Sequence, residues 1–274
     1  MKQITRNAGK NQFPSFSPDG SQIVFVSNRF SRITYDILIV DADGSNLKRV
    51  TKNMKGWNGR PSWSLDGSKI LFDSAGGGNF EIMTIEPDGS NLTNLTNNEA
   101  KDFHPCWSPD NSKVAFVSLR DGNEDIFVMN ADGSNQVNIT NHEYSDMHPK
   151  WSPDGTRIAF VSDRDHQFEE NVEKPDREVM GITPEYLEKA MKSKRKHDIF
   201  VMNADGSNPV NITNYPNNDL RPTWSPDGAR IAFVSIRNGK RELFSVKPDG
   251  SDIRQITSND AMEEYPSWGP MPSN

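Results

Sequence analysis

The chain is poor in the features that cross-link, anchor or export a protein. One cysteine, Cys106, in 274 residues cannot form an internal disulfide, so the fold must be held by burial. Beside the aromatic Trp107, its expected role is that of a small buried filler. No run of about 18 apolar residues occurs, which excludes a membrane-spanning helix and membrane insertion. The opening Met1-Lys-Gln-Ile-Thr-Arg6 lacks the apolar segment of a secretory signal and points to the cytoplasm if Met1 is the native start. Basic residues do not dominate: 31 Lys and Arg stand against 38 Asp and Glu, for a net charge of −7. A polyphosphate partner needs a basic face, so the charge argues against nonspecific binding to nucleic acid or an anionic membrane, and no nucleic-acid partner is expected. Neither Gly-X-Ser-X-Gly nor His-Glu-X-X-His is found, so the nucleophile elbow and the zinc-protease helix are absent.

What the chain has instead is a repeat. Phe16-Ser-Pro-Asp-Gly20 returns as Trp63-Ser-Leu-Asp-Gly67, Trp107-Ser-Pro-Asp-Asn111, Trp151-Ser-Pro-Asp-Gly155, Trp224-Ser-Pro-Asp-Gly228 and Trp268-Gly-Pro270. The anchors are 47, 44, 44, 73 and 44 residues apart, so one interval carries an extra 29 residues. A period near 44 with strand-sized units points to a β-propeller. Each unit parses into four strands: one ending at the anchor, an alternating one (Val114-Ala-Phe-Val-Ser118), an apolar one (Ile126-Phe-Val-Met129) and a short polar one (Val137-Asn-Ile-Thr140). Ser-Pro-Asp-Gly and Asp-Gly-Ser-Asn supply the two hairpin turns, with Pro presetting φ and Gly accepting a positive one.

The Trp-Ser-Pro-Asp-Gly turn, the Ile-Ala-Phe-Val-Ser strand, Asp-Ile-Phe-Val-Met-Asn-Ala-Asp-Gly-Ser-Asn and the closing Ile-Thr resemble the repeat of TolB-like (WD40-like) β-propellers. The resemblance covers nearly the whole chain apart from the extra 29 residues. It implies an all-β propeller that binds a protein partner in the periplasm or cell envelope.

Five units contain all four strands. Lys2-Gln-Ile-Thr5 matches the fourth-strand ends and Tyr265-Pro-Ser-Trp268 matches a first strand. The expected fold is therefore one propeller domain over residues 1–274 with six blades, the sixth reduced to a C-terminal inner and an N-terminal outer strand; a five-bladed ring is the alternative.

Before each anchor runs a second pattern: an acidic or amide residue, any residue, a special residue, Pro, any residue, then the aromatic. The first series is Asn11, Asn58, Asp102, Asp146, Asp219 and Glu263, and the second is Phe13, Arg60, His104, His148, Arg221 and Tyr265. Ring geometry would bring equivalent positions together at the mouth of the central channel, on the face whose loops vary. One reading is a ligand site in which Arg60, His104, His148 and Arg221 receive an acidic side chain, a terminal carboxylate or another anion. The other is that each carboxylate caps its loop and neutralises the neighbouring base. His104 and His148 with Asp102 and Asp146 could also be read as metal ligands, but two histidines one repeat apart do not make a set, and neither metal nor cofactor is expected. Arg29, Arg120, Arg164 and Arg237 follow the second strand, and Asp36, Asp125, Asp198 and Glu242 open the third, so ion pairs are expected across that hairpin end.

The insertion, residues 166–197, begins with a highly charged stretch and continues with Thr183-Pro-Glu and a basic end, a helix signal of about three turns. It could serve as a lid or as a docking helix. The expected function is a noncatalytic, monomeric scaffold binding a protein or peptide on the variable-loop face. The alternative is a metal-dependent or acid–base enzyme acting on a polysaccharide or peptide.

Overall fold

Strand period and turn chemistry produce five antiparallel sheets of four strands in the computed structural model, which describes residues 4–5, 9–31, 33–165, 196–216, 218–237, 239–258 and 266–268. Blade one is β1 (Asn11–Phe16), β2 (Gln22–Ser27), β3 (Asp36–Asp41) and β4 (Lys48–Arg49). Blade two is β5 (Asn58–Trp63), β6 (Ile70–Ser74), β7 (Glu81–Ile85) and β8 (Thr93–Asn94). Blade three is β9 (Asp102–Trp107), β10 (Lys113–Ser118), β11 (Asp125–Asn130) and β12 (Val137–Asn138). Blade four is β13 (Asp146–Trp151), β14 (Arg157–Ser162), β15 (Asp198–Asn203) and β16 (Val210–Asn211). Blade five is β17 (Asp219–Trp224), β18 (Ile231–Arg237), β19 (Lys240–Val246) and β20 (Arg254–Gln255). Each is a meander in chain order. Among the described residues no helix is long and apolar enough to cross a membrane.

The two turns of a blade share one face and bond to each other, the N–H of Ala42 donating to the Ser21 carbonyl and that of Ala131 to Ser112. In each first turn an Asp collects its neighbours' donors: Asp110 accepts from the Ser108 hydroxyl and from the Ser112 N–H, and its carboxyl falls to about 2. The recurring Ile-Thr has a physical cause. A two-residue fourth strand is too short to cover the third, so the Thr hydroxyl extends the ladder, accepting from Ile37, Ile82, Ile126, Ile199 and Leu243 through Thr51, Thr96, Thr140, Thr213 and Thr257.

The core lies between blades. Val24, Ile37 and Ile39 of blade one pack on Ile70, Phe72 and Ile85 of blade two with Trp63 against them, and the same arrangement joins each later pair. On the variable face the first N–H of each inner strand after β1 donates to the preceding blade: Asn58 to Tyr35, Asp102 to Phe80, Asp146 to Glu124 and Asp219 to His197.

The structure corrects the expectation of six blades: among the described residues it has five. Ile4–Thr5 and residues 266–268 form no strand. Trp268 donates its indole N–H to the Thr223 carbonyl, as Trp224 does to Lys150, and Ile4 packs on Ile23, Phe25, Leu38 and Val40 of blade one. Inner and outer strands elsewhere are held by the second and third strands of their own sheet; without that middle hairpin, the remnants have no ladder to join. Consecutive blades pack from one to five, and among the described residues no comparable contact joins blade five to blade one. Phe16, the anchor of blade one, is accordingly 60% exposed while Trp224 is 7% exposed.

Candidate functional site

Proline builds the site. The X-Pro step in each inner strand removes an N–H from the ladder, and the register slips there in all five blades. Phe13-Pro14, Arg60-Pro61, His104-Pro105, His148-Pro149 and Arg221-Pro222 each face one residue of the second strand, a β-bulge. The residue before Pro is left-handed every time, with φ of 54°, 50°, 57°, 54° and 58°. Such a conformation in a non-glycine residue costs of order 1–3 kcal/mol and persists only where the surroundings impose it. Repetition in five blades turns five side chains out of the ladder at one level. Consecutive inner strands touch, so these side chains form a cluster.

Its centre is a pair of imidazoles. His104 and His148 stack with ring centroids 4.1 Å apart and planes 24° from parallel, and Phe103 meets His104 edge-on at 4.9 Å. His104 is 5% exposed, and neither of its ring nitrogens has a hydrogen-bond partner; Nδ1 of His148 also lacks one. Burial holds both imidazoles well below their ordinary titration range, helped at His104 by Arg60, then His148 and Lys150, and at His148 by Arg221, then Arg60 and Lys150. Positive charge is thus focused here in a protein of net charge −7.

Arg60 is held by a carboxylate and two aromatic rings. Its Nη1 donates to Oδ2 of Asp73 at 2.9 Å, and its guanidinium lies 5.4 Å from the Phe13 ring and 5.1 Å from Trp57. Trp57 can lie there because Gly59 has no side chain; a Cβ at 59 would come within 1.8 Å of the indole. Asp73 also accepts the His104 N–H at 3.0 Å, and its Oδ1 has no partner. Burial pushes the Asp73 carboxyl up, while Arg60 and the His104 N–H pull it back. Sequence reasoning missed Asp73, Trp57 and Lys150. A signal for the first was present: Asp73 occupies the second-strand position held by Val26, Val117, Val161 and Val234.

The acidic series behaves differently. Asp102, Asp146 and Asp219 are fully buried at the strand starts. Arg120 bonds to Asp102 at 3.0 Å and Arg164 to Asp146 at 2.8 Å, so these arginines serve the inner strand rather than Asp125 and Asp198 at the hairpin end. Asp36 is paired with Arg49. Asp102 and Asp146 therefore neutralise the arginines that follow the second strand, not the special-series bases. Asp219 has no hydrogen-bond partner at either oxygen, because Arg237 stacks 3.9 Å from both Tyr215 and Phe244 and donates Nε to Ser235. Burial pushes Asp219 up to about 6, against the pull of the nearby Ser235 and Thr213 hydroxyls. Asn58 accepts from the Ser74 hydroxyl. Glu263, Tyr265 and the expected helix in 166–197 lie outside the described residues, apart from residues 196 and 197. Among the described residues no three His, Cys, Asp or Glu side chains stand together as a metal site.

The sequence profile of the TolB β-propeller domain matches residues 1–105, 95–172 and 183–273. A segment of 65 residues is 38% identical to dipeptidyl-peptidase 5 of Porphyromonas endodontalis, covering 24% of this chain and 9% of that protein. A segment of 68 residues is 38% identical to the Tol-Pal system protein TolB of Syntrophus aciditrophicus, covering 24% of this chain and 15% of that protein. The chain thus matches well under two thirds of the length of these curated relatives. Among solved structures, TolB from Acinetobacter baumannii superposes with a TM-score of 0.67 at 19% identity over 93% of this chain and 56% of that one, a likeness of fold. With the profile matched along most of its length and its repeat folded into four-stranded blades, the chain belongs to the TolB β-propeller family.

Proposed function

We propose that this protein is a noncatalytic scaffold that binds a protein or peptide at the channel mouth, with Arg60, His104, His148 and Arg221 receiving an anionic group of the partner. The observation that carries the reading is the left-handed residue repeated before Pro in five inner strands, which gathers two arginines and two histidines at strained positions. Asp102 and Asp146 hold the strand starts in place through Arg120 and Arg164 rather than touching the partner, and Asp219 is buried at the matching position. Tyr265 and Glu263 belong to the proposal through their place in the repeat alone. A periplasmic or cell-envelope setting and a monomeric state are part of the same proposal, as is a partner resembling those of TolB proteins.

The enzymatic alternative draws on the likeness of a segment to a dipeptidyl-peptidase. A metal mechanism would need a third ligand beside His104 and His148, and an acid–base mechanism an ionisable pair facing a substrate; the carboxylates nearest the cluster are engaged with arginines. The deciding experiment is selection from a random peptide library on immobilised protein, followed by binding and mass spectrometry with Arg60→Met and Arg221→Met. Enrichment of acidic peptides that bind intact and are released by either substitution supports the scaffold. Cleavage of the bound peptide overturns it, and retention by both variants moves the binding surface away from the channel.

A further inference from the structure

We propose that the His104–His148 stack is the proton-accepting part of a carboxylate site: a ligand carboxylate entering between Arg60 and Arg221 bonds to the imidazoles, and one imidazole takes a proton from solvent. This rests on the channel reading above and adds to it the ligand's chemical class and its linkage to pH.

The geometry carries the step. Three ring nitrogens of two stacked histidines have no hydrogen-bond partner, though His104 is 5% exposed. An unpaired buried polar group is costly, so such groups are held where a partner arrives from outside. A neutral imidazole offers one donor and one lone pair, whereas an imidazolium offers two donors. A carboxylate has only acceptors, so two donors on one ring match it better than a donor and a lone pair.

The charged groups facing the pair fix the direction. Arg60 on β5, Lys150 on β13 and Arg221 on β17 are cationic, and His197, in the connection before β15, faces His148. Among the described residues, the carboxylate on this side, Asp73 on β6, is occupied by Arg60 and by the His104 backbone. In the free protein a charged imidazole would therefore be buried among like charges. A ligand carboxylate changes the sign of the nearest charge and gives the proton a reason to stay. One N–H bond forms on a ring nitrogen, the proton comes from water or buffer, and no bond in the ligand changes.

A carboxylate can come from an acidic side chain or from a chain terminus. The test titrates full-length protein with two acetylated tripeptides, one bearing a central Glu and an amidated end, the other three glycines and a free C-terminal carboxylate. The histidine side-chain nitrogens are followed by long-range proton–nitrogen NMR between pH 6 and pH 8. Support is a change of His104 or His148 to the pattern of a cationic ring on binding, with affinity tightening up to about tenfold per pH unit on acidification, as one linked proton requires. The peptide that elicits it identifies the source. Binding seen in neighbouring backbone amides with both rings still neutral and affinity independent of pH overturns the inference and leaves the channel reading standing. No response to either peptide up to high millimolar concentration overturns both. His148→Gln, which keeps a donor and an acceptor but cannot charge, should weaken binding at pH 6 and flatten its pH dependence; affinity and pH dependence both equal to those of the unaltered protein overturn the role of the stack.

Discussion

Asp219→Asn should stabilise this protein at neutral pH, an unusual outcome for the replacement of a fully buried carboxylate. Asp102 and Asp146 hold the same repeat position with Arg120 and Arg164 on them, but Arg237 is drawn onto Tyr215 and Phe244, leaving both Asp219 oxygens without a hydrogen-bond partner. Burial raises its carboxyl from 3.8 to about 6. The folded state therefore holds this proton more tightly than the unfolded state, and unfolding free energy falls as pH rises from the lower value to the higher. The penalty is absent below about pH 4 and complete above about pH 6, where the difference amounts to roughly 3 kcal/mol. Asparagine cannot ionise and escapes it. In thermal melts of wild type and variant from pH 4 to pH 8, the curves should nearly coincide at pH 4 and separate by several degrees above pH 6.5, at ~2–4 °C per kcal/mol for a chain of this size. Asp146→Asn is the control: it strands the Arg164 guanidinium, 12% exposed, and should cost about 3–5 kcal/mol. An Asp219→Asn protein less stable than wild type at pH 8, or a difference that does not change between pH 4 and pH 8, would refute the reasoning.

Three further outcomes are expected. Arg60→Met leaves the buried Asp73 unpaired and should lower stability by about 3–5 kcal/mol in urea unfolding, whereas the double change with Asp73→Val, the residue the other blades carry, should restore most of it without restoring peptide binding. Phe16→Ala should change stability by less than about 0.5 kcal/mol, while Trp224→Ala, the same position four blades later, should cost ~3–5 kcal/mol; equal costs would mean that blade one is covered by a sixth blade. Thr140→Val removes the acceptor of the Ile126 N–H and should cost about 1–3 kcal/mol, with faster hydrogen exchange at Ile126 as the local readout.

Much of the candidate site was legible because the repeat aligns the blades. Reading one position down the repeat yields Phe13, Arg60, His104, His148 and Arg221, and the fold brings those positions together. What they do there was not legible. The same alignment put Asp102, Asp146 and Asp219 into the proposed mouth, since residues two apart on a regular strand share a face. The bulge at X-Pro breaks that alternation, and Asp102 and Asp146 turn to the arginines that follow the neighbouring strand. Asp73 belongs to a different strand and entered the site through space, its departure from a run of valines being the trace left in the sequence.

The sequence by itself determined the local and periodic features: four strands to a unit, Ser-Pro-Asp-Gly and Asp-Gly-Ser-Asn at the hairpin turns, and an apolar third strand, because each follows from backbone preferences and burial within about 44 residues. Tertiary structure decided the rest. Whether two terminal remnants make a sixth blade depends on a ladder partner that neither remnant carries, and Ile4 and Trp268 instead dock on blades one and five. Which acid each arginine serves, and why Asp219 is left with none, depends on competition between carboxylates and aromatic rings at distances that spacing along the chain does not encode.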